Sequence, residues 1–184
     1  MNITVARAGN AARSMLAELA AIAPPEEAQR VHDAVAVFEA SLADDNSSRR
    51  LETAAGDLIG LGVGSTPSGD DVIAGSAAAL ASIARSASAL SAECRRMLET
   101  LERVILRSRN RTTALSAELM SCAVHGYTMR RFRCYATSAL CGGNISDTTS
   151  KLCGTGHTSG YFLASGAALA LKAVSERNDG ALHG

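Results

Sequence analysis

Residues 60–75 read GLGVGSTPSGDDVIAG, and this stretch determines how the predicted central helix of the fold begins. It concentrates five glycines, one proline and two adjacent aspartates in a chain otherwise rich in alanine, leucine and serine. Glycine permits backbone conformations that other residues rarely adopt, so the first half of the stretch is predicted to be a loop. Small apolar residues then recur at helical spacing over residues 72–84. We therefore expect a closely packed helix at the centre of the fold, entered through a glycine-rich loop.

The composition favours helices throughout the chain. A length of 184 residues suits one domain over residues 1–184. Alanine and leucine dominate, aromatic residues make up only 3%, and there are three prolines. Strands prefer β-branched and aromatic residues, whereas alanine and leucine are strong helix formers. The predicted fold class is therefore all-α or mostly α.

The charge balance argues against two classes of partner. Lys+Arg and Asp+Glu are equal at 18 each, so no net field attracts nucleic acid or an anionic membrane. No apolar run is long enough for a secretion signal or a membrane span, which predicts a cytoplasmic protein. The five cysteines form no C-x-x-C pair. They are predicted to be buried thiols in a reducing cytosol rather than disulfides or zinc ligands.

Periodicity predicts the remaining helices. Apolar residues recur at helical spacing over residues 14–23, 26–42, 51–59, 91–107, 127–140 and 161–174. Another helix is expected after Arg111, with Leu115, Leu119 and Cys122 on its inner face. Residues 141–150 are expected to be a loop or helix cap, and the tail is expected to fray from Arg177.

Three segments share a local pattern in which glycine or arginine precedes a Ser/Thr-rich turn and then a helix. They are residues 65–71, 110–116 and 155–160. The first turn of a helix presents unpaired N–H groups and the positive end of the helix dipole, which together bind anions. Ordinary helix caps use the same residue types, and this structural role is the alternative for each turn. Three such turns favour a shared anion site, with these binding residues: Gly64, Ser65, Thr66, Ser68, Gly69, Arg111, Thr112, Thr113, Ser116, Thr158, Ser159 and Gly160.

The two aspartates restrict the ligand. A carboxylate beside a bound anion repels it, but adjacent helical residues point about 100° apart, so one acid can cap while the other faces a ligand. The structural alternative is an S-x-x-D capping box formed by Ser68 and Asp71. A ligand with N–H donors, such as a ureido, carbamoyl or amide group, removes the conflict. So does Mg²⁺ held by Asp70 and Asp71, and no other cofactor is predicted.

Two further side chains in these turns can act on a ligand. His157 can donate a hydrogen bond to a substrate carbonyl or act as a general acid–base near neutral pH, although a cap histidine is more often structural. Arg111 can make a bidentate contact to a carboxylate or phosphate, with an exposed surface arginine as the alternative. No G-K-[ST] follows the glycines, so a nucleotide phosphate loop is not predicted.

The same three segments resemble the AllH-type family, which is associated with the oxamate carbamoyltransferase of anaerobic allantoin breakdown. Residues 60–75 resemble the family signature G-x-G-x-G-x-T-P-S-G-D-D-x-x-x-G. Residues 110–126 resemble its R-T-T-x-L-S helix, and residues 154–166 resemble its G-H-S-S-G-x-D-x-x-x-G segment. Tyr161 and Phe162 depart from the last pattern where an acidic residue is typical.

The resemblance implies a subunit of an enzyme that phosphorolyses oxalurate to oxamate and carbamoyl phosphate, or an analogous carbamoyl transfer. Residues 51–176 are then a helical core carrying the three segments, and residues 1–50 form variable N-terminal helices. The N–H groups of residues 64–69 and 111–113 hold phosphate or carboxylate. Asp70 or Asp71 accepts an amide N–H, and His157 polarises the carbonyl, so the expected catalytic residues are Asp70, Asp71 and His157. The implied partners are a small anionic substrate and other enzyme subunits or further copies of this chain.

Two other functions stay open at this point. One is a non-catalytic helical module that binds a small anion or a partner chain, which the short region before the signature favours. The other is a Mg²⁺-dependent hydrolase that uses Asp70, Asp71 and His157.

Overall fold

The computed structural model describes residues 4–22, 26–44, 48–86 and 88–181. These residues form nine α-helices, one 3₁₀ turn at Arg109–Arg111 and no strand, which confirms the all-α prediction. The helices are α1 Val5–Ala20, α2 Glu26–Ala43, α3 Ser48–Leu58, α4 Ser68–Ala84, α5 Ser91–Arg107, α6 Ala114–Val124, α7 Arg130–Cys141, α8 Ile145–Cys153 and α9 Ser159–Ala181.

Helix α4 lies at the centre of the fold, as the small residues of its sequence predict. All of its 17 residues except Ser82 are buried, and it packs against α5, α6 and α9. A Cβ added at Gly75 would lie 2.1 Å from the Leu163 carbonyl oxygen, and one at Gly166 would lie 2.1 Å from the Val72 carbonyl oxygen. The glycines therefore allow the backbones of α4 and α9 to touch. This contact fixes the start of α9 beside the start of α4.

The end of α9 is more ordered than its polar sequence suggests. The Arg177 guanidinium donates hydrogen bonds to the carbonyl oxygens of Leu42 and Asp44 at 2.6 and 2.7 Å and pairs with Glu93. The helix continues to Ala181. The prediction that the tail frays from Arg177 is therefore wrong as far as Ala181. Residues 182–184 lie outside the described part of the chain.

Two helix boundaries differ from the sequence prediction because side-chain caps were not recognised. Helix α1 begins at Val5, since the Thr4 hydroxyl accepts the Arg7 N–H at 3.3 Å. Most of the predicted loop over residues 141–150 belongs instead to α8. The Asn144 side chain starts that helix by accepting the Asp147 N–H at 3.0 Å.

Helix α6 faces the core with the opposite side from the one predicted. Leu115 and Leu119 are 53% and 44% exposed, and Cys122 is half-buried. The buried side consists of Ser116, Ala117, Met120, Ala123 and Val124. Small side chains at Ala117 and Ala123 let α6 approach the central helix closely, which leaves its larger leucines on the outside.

The cysteines are not all buried, contrary to the prediction. Cys94 is fully buried in α5, whereas Cys134 and Cys141 are exposed on α7. The α7 arginines Arg130, Arg131 and Arg133 are exposed as well. This surface of the helix therefore faces solvent. None of the described helices is both long and apolar enough to cross a membrane.

Candidate functional site

The three Ser/Thr-rich turns meet around the first turn of α4. The Thr113 hydroxyl of the second turn donates to the Ser65 carbonyl oxygen at 2.6 Å. The hydroxyls of Thr66 in the first turn and Ser159 in the third are hydrogen-bonded to each other at 2.8 Å. The turns are distant in sequence, and these side-chain bonds join them into one cluster.

Asp70 holds two of the turns together. It is fully buried, and its Oδ1 accepts the Gly60 N–H at 2.7 Å. Its Oδ2 accepts a hydrogen bond from the Thr112 hydroxyl. Gly60 adopts φ +82°, and a Cβ there would lie 2.2 Å from the Arg111 carbonyl oxygen, so only glycine fits this crossing. Both carboxylate oxygens have partners, which makes Asp70 a brace between the loop before α4 and the turn before α6.

Asp71 occupies a different environment. Its side chain is only 5% exposed and lines a cavity of about 220 Å³. Its Oδ2 is buried and has no hydrogen-bond partner among the described residues. The pKa of Asp71 is raised to about 7, mainly by burial; the charge of Asp70 adds to the rise, and hydrogen bonds with the hydroxyls of Ser159 and Thr66 oppose it. A buried carboxyl with one unpaired oxygen and a pKa raised to about 7 is typical of functional sites.

The cavity has one polar end and apolar walls. Asp71, Thr66 and Ser159 form the polar end. The other lining residues are Ala74, Ala78, Leu119, Ala123, Tyr127, Thr128, Met129, Phe132, Thr155, Gly156 and Leu163. None of these is basic. Sites for drug-sized ligands measure about 300–1,000 Å³, so this smaller cavity suits a small metabolite.

The first turn contributes less through its backbone than predicted. Pro67, not Ser68, is the N-cap of α4, and no side chain caps the helix, so the capping box considered as the structural alternative for Ser68 and Asp71 is not formed. The Asp71 N–H donates to the Pro67 carbonyl oxygen at 3.1 Å, and the Gly69 N–H donates to the Leu61 carbonyl oxygen at 2.8 Å. The buried Ser68 hydroxyl has no partner among the described residues.

Gly64 and Ser65 lie on the exposed part of the loop that leads into α4. Gly64 has φ +92°, and the space where a Cβ would project is open. The described residues offer no acceptor to the N–H groups of Gly64, Ser65 or Thr66. These three donors are consequently the backbone groups of the first turn that stay accessible to a ligand.

The second turn is occupied mainly by its own structure. The Thr113 side chain caps α6 by accepting the Ser116 N–H at 3.1 Å, and Thr112 is bonded to Asp70. Ser116 is buried, and Arg111 is exposed. None of these four residues lines the cavity.

The third turn reaches the cavity through residues other than His157. Gly156 and Ser159 line the cavity, whereas His157 is exposed and is absent from the lining. The buried Thr158 uses its carbonyl oxygen to accept the Tyr161 N–H at 3.1 Å. A Cβ at Gly160 would lie 1.8 Å from the Leu152 carbonyl oxygen, so this glycine permits α8 and α9 to meet.

The apolar lining was not predicted from the sequence. Leu119, Met129, Phe132 and Leu163 come from α6, the loop before α7, α7 and α9. Each has the character of an ordinary core residue. The exposure of Tyr127 and Met129, at 74% and 40%, is visible only in the structure, so the sequence offered no signal for this lining.

The described residues contain no group of three His, Cys, Asp or Glu side chains placed to hold a metal ion. A Mg²⁺ bridging Asp70 and Asp71 would compete with the bonds that Asp70 accepts from Gly60 and Thr112. Asp71 alone retains an oxygen for such an ion.

The residues that build this cluster lie in the part of the chain that matches a known protein family. The family model for oxamate carbamoyltransferase subunit AllH matches residues 58–171. This match covers more than half of the chain and includes α4, the turn before α6 and the start of α9. Comparison with curated proteins and with solved structures found no match. The chain therefore belongs to the family of the oxamate carbamoyltransferase subunit AllH.

Proposed function

We propose that this chain binds the N–H-bearing end of a small anionic ureido or carbamoyl compound in the Asp71 cavity. It would do so as a subunit of an enzyme that phosphorolyses oxalurate to oxamate and carbamoyl phosphate. The observation that carries the proposal is the buried Oδ2 of Asp71, which has no partner and lies in a cavity of about 220 Å³.

The unpaired oxygen favours a ligand that donates hydrogen bonds. Leaving a buried acceptor unsatisfied costs about 1–3 kcal/mol, and more when the group is charged. An amide N–H recovers this cost, whereas an anionic oxygen at the same place would be repelled. The carbamoyl NH₂ group is therefore assigned to the polar end of the cavity, next to Asp71.

The anionic end of the substrate must lie elsewhere, because no basic side chain lines the cavity. Thr66 lines the cavity, and the two residues before it, Gly64 and Ser65, lie in the exposed loop. The unpaired N–H groups of these residues can hold a carboxylate or phosphate. In the second turn, the hydroxyls of Thr112 and Thr113 already donate within the protein, which leaves Arg111 and backbone groups for a ligand.

The proposed chemistry forms a bond between a phosphate oxygen and the carbamoyl carbon while the bond from that carbon to the oxamate nitrogen breaks. The departing nitrogen takes a proton. Charge develops on the carbamoyl oxygen in the transition state, and positioned donors stabilise it. The hydroxyls of Thr66 and Ser159 lie at the same end of the cavity as Asp71, and since one donates to the other, the remaining hydroxyl proton is available for this task. A role for His157 on the carbonyl stays a prediction.

Calorimetric titration tests the proposal. Oxalurate, oxamate and carbamoyl phosphate are each titrated into the chain, alone and together with the other subunits of the enzyme. We expect Asp71→Asn to weaken binding of at least one ligand by about 10- to 100-fold, since hydrogen bonds to charged groups contribute about 1.5–3 kcal/mol.

The matched control is Asp57→Asn, which makes the same chemical change on the exposed surface of α3 and should bind like the parent. The proposal fails if the parent binds none of the three ligands under either condition. It also fails if Asp71→Asn binds all of them as tightly as the parent.

A further inference from the structure

Exposed apolar side chains are concentrated on one side of the molecule. Leu106 at the end of α5, Leu115 and Leu119 on α6, and Tyr127 and Met129 in the loop after α6 are all at least 40% exposed. We call these five residues the α6 face. Leu119, Tyr127 and Met129 also line the Asp71 cavity, so the face and the cavity adjoin each other.

Helix α6 is apolar on both sides. Its sequence ALSAELMSCAV contains one charged residue, Glu118. One side packs into the core, and nothing among the described residues covers the leucines on the other. A helix that is apolar all round is typically buried all round. The outward stripe therefore has the composition of a covered surface.

The shape of this region also suits a protein partner. Helix α6 is a ridge between the Asp71 cavity and a depression of about 380 Å³ whose lining includes Leu106, Cys122 and Tyr127. Tyr127 lines both depressions.

Polar side chains next to the ridge pair with each other. Arg109 lies 3.1 Å from Glu118, and His125 lies 3.7 Å from Glu102. An apolar centre with a polar rim is the usual anatomy of a protein–protein interface.

We propose that a different subunit of the enzyme docks on the α6 face, closes the Asp71 cavity and supplies a cationic side chain for the anionic end of the substrate. This proposal rests on the function proposed above. It commits to a different subunit for two reasons. The family to which the chain belongs is a family of enzyme subunits. In addition, the cavity contains a carboxylate and no basic side chain, although the proposed substrates are anions.

A second copy of this chain is less suited to the face. If two copies paired symmetrically here, each would offer the other the same apolar side chains and Glu118. The Arg109 cation on this side is already paired with Glu118. A different chain is free to bring an unpaired Arg or Lys, and closing the cavity would exclude water and strengthen the electrostatic contacts inside it.

Mixing experiments with the other subunits of the same enzyme test this docking site. The complex is measured by light scattering after size-exclusion chromatography and by calorimetry. Leu119→Lys and Leu115→Lys each place a charge on the face and should weaken the complex at least tenfold. Val37→Lys on α2 is the matched control because Val37 is also exposed, at 58%, but lies outside the α6 face. Circular dichroism establishes that each variant is folded.

Three results would overturn the proposal: the parent forms no complex with the other subunits, the two leucine variants bind like the parent, or the chain alone is a dimer that Leu119→Lys dissociates. The last result would identify a second copy as the occupant. Asp71→Asn separates this proposal from the function proposed for the cavity. If Leu119→Lys prevents assembly while Asp71→Asn assembles and binds every ligand normally, the docking site stands and the role of Asp71 fails.

Discussion

Asp71→Asn is expected to make the free protein more stable at pH 8, by about 3 kcal/mol and roughly 6–12 °C in thermal midpoint. In the folded parent the Asp71 carboxylate must ionise inside the protein without a partner for Oδ2, and burial raises its pKa from 3.8 to about 7. One pKa unit corresponds to about 1.36 kcal/mol. Above pH 7, most of the free energy that this pKa shift represents is therefore subtracted from the parent's free energy of unfolding. The asparagine amide has nearly the same shape and does not ionise.

The sign of the pH dependence follows from the raised pKa. Folding favours the protonated form of Asp71, so the parent loses stability as pH rises from about 4 through about 7. The advantage of Asp71→Asn should therefore be largest at pH 8 and should shrink by more than half at pH 5. Thermal melts of the parent, Asp71→Asn and Asp57→Asn at both pH values measure it. A variant less stable than the parent at pH 8 would mean that the carboxylate gains more from its surroundings than burial costs it.

Asp70→Ala is expected to have the opposite effect, a loss of about 3–5 kcal/mol and roughly 10 °C or more in thermal midpoint. Asp70 is fully buried and accepts hydrogen bonds from the Gly60 N–H and the Thr112 hydroxyl. Removing the carboxylate leaves both donors unpaired and separates the loop before α4 from the turn before α6. Hydrogen bonds to a charged group contribute about 1.5–3 kcal/mol each.

Thr112→Val provides the graded comparison, because it removes one of the two bonds and keeps the side-chain volume. It should lose about half as much stability as Asp70→Ala in urea or thermal unfolding. If Asp70→Ala unfolds at the same temperature as the parent, Asp70 is not the brace that the contacts indicate, and the division of roles between the two aspartates fails.

The sequence predicted the elements of this fold better than their orientation. The alanine-rich pattern after the glycine loop correctly indicated a buried central helix. Periodicity could not decide which side of α6 faces inward, because both sides are apolar. The side that packs against the core carries Ala117 and Ala123 together with Met120 and Val124, whereas Leu115 and Leu119 lie on the outside.

The sequence predicted which turns meet, but not the contacts that they make. The pattern of three turns indicated the residues that surround the start of α4. Local helix geometry also showed that Asp70 and Asp71 must point in different directions. Which aspartate would find partners depended on where Gly60 and Thr112 come to lie, and this is a tertiary contact between segments far apart in sequence. The apolar walls of the cavity carried no signal that distinguishes them from core.

The proton balance of ligand binding tests the central claim most directly. The claim is that Asp71 receives an N–H donor from the substrate. Near pH 7 part of the free protein is protonated at Asp71, since burial raises the pKa of this carboxyl to about 7. A ligand N–H favours the ionised form, so binding must expel that proton. Calorimetric titration of the assembled enzyme with oxalurate at pH 7, in two buffers that differ in ionisation enthalpy, measures the protons exchanged. We predict net release of protons by the parent and none by Asp71→Asn, whereas equal proton exchange by the two proteins would contradict the account.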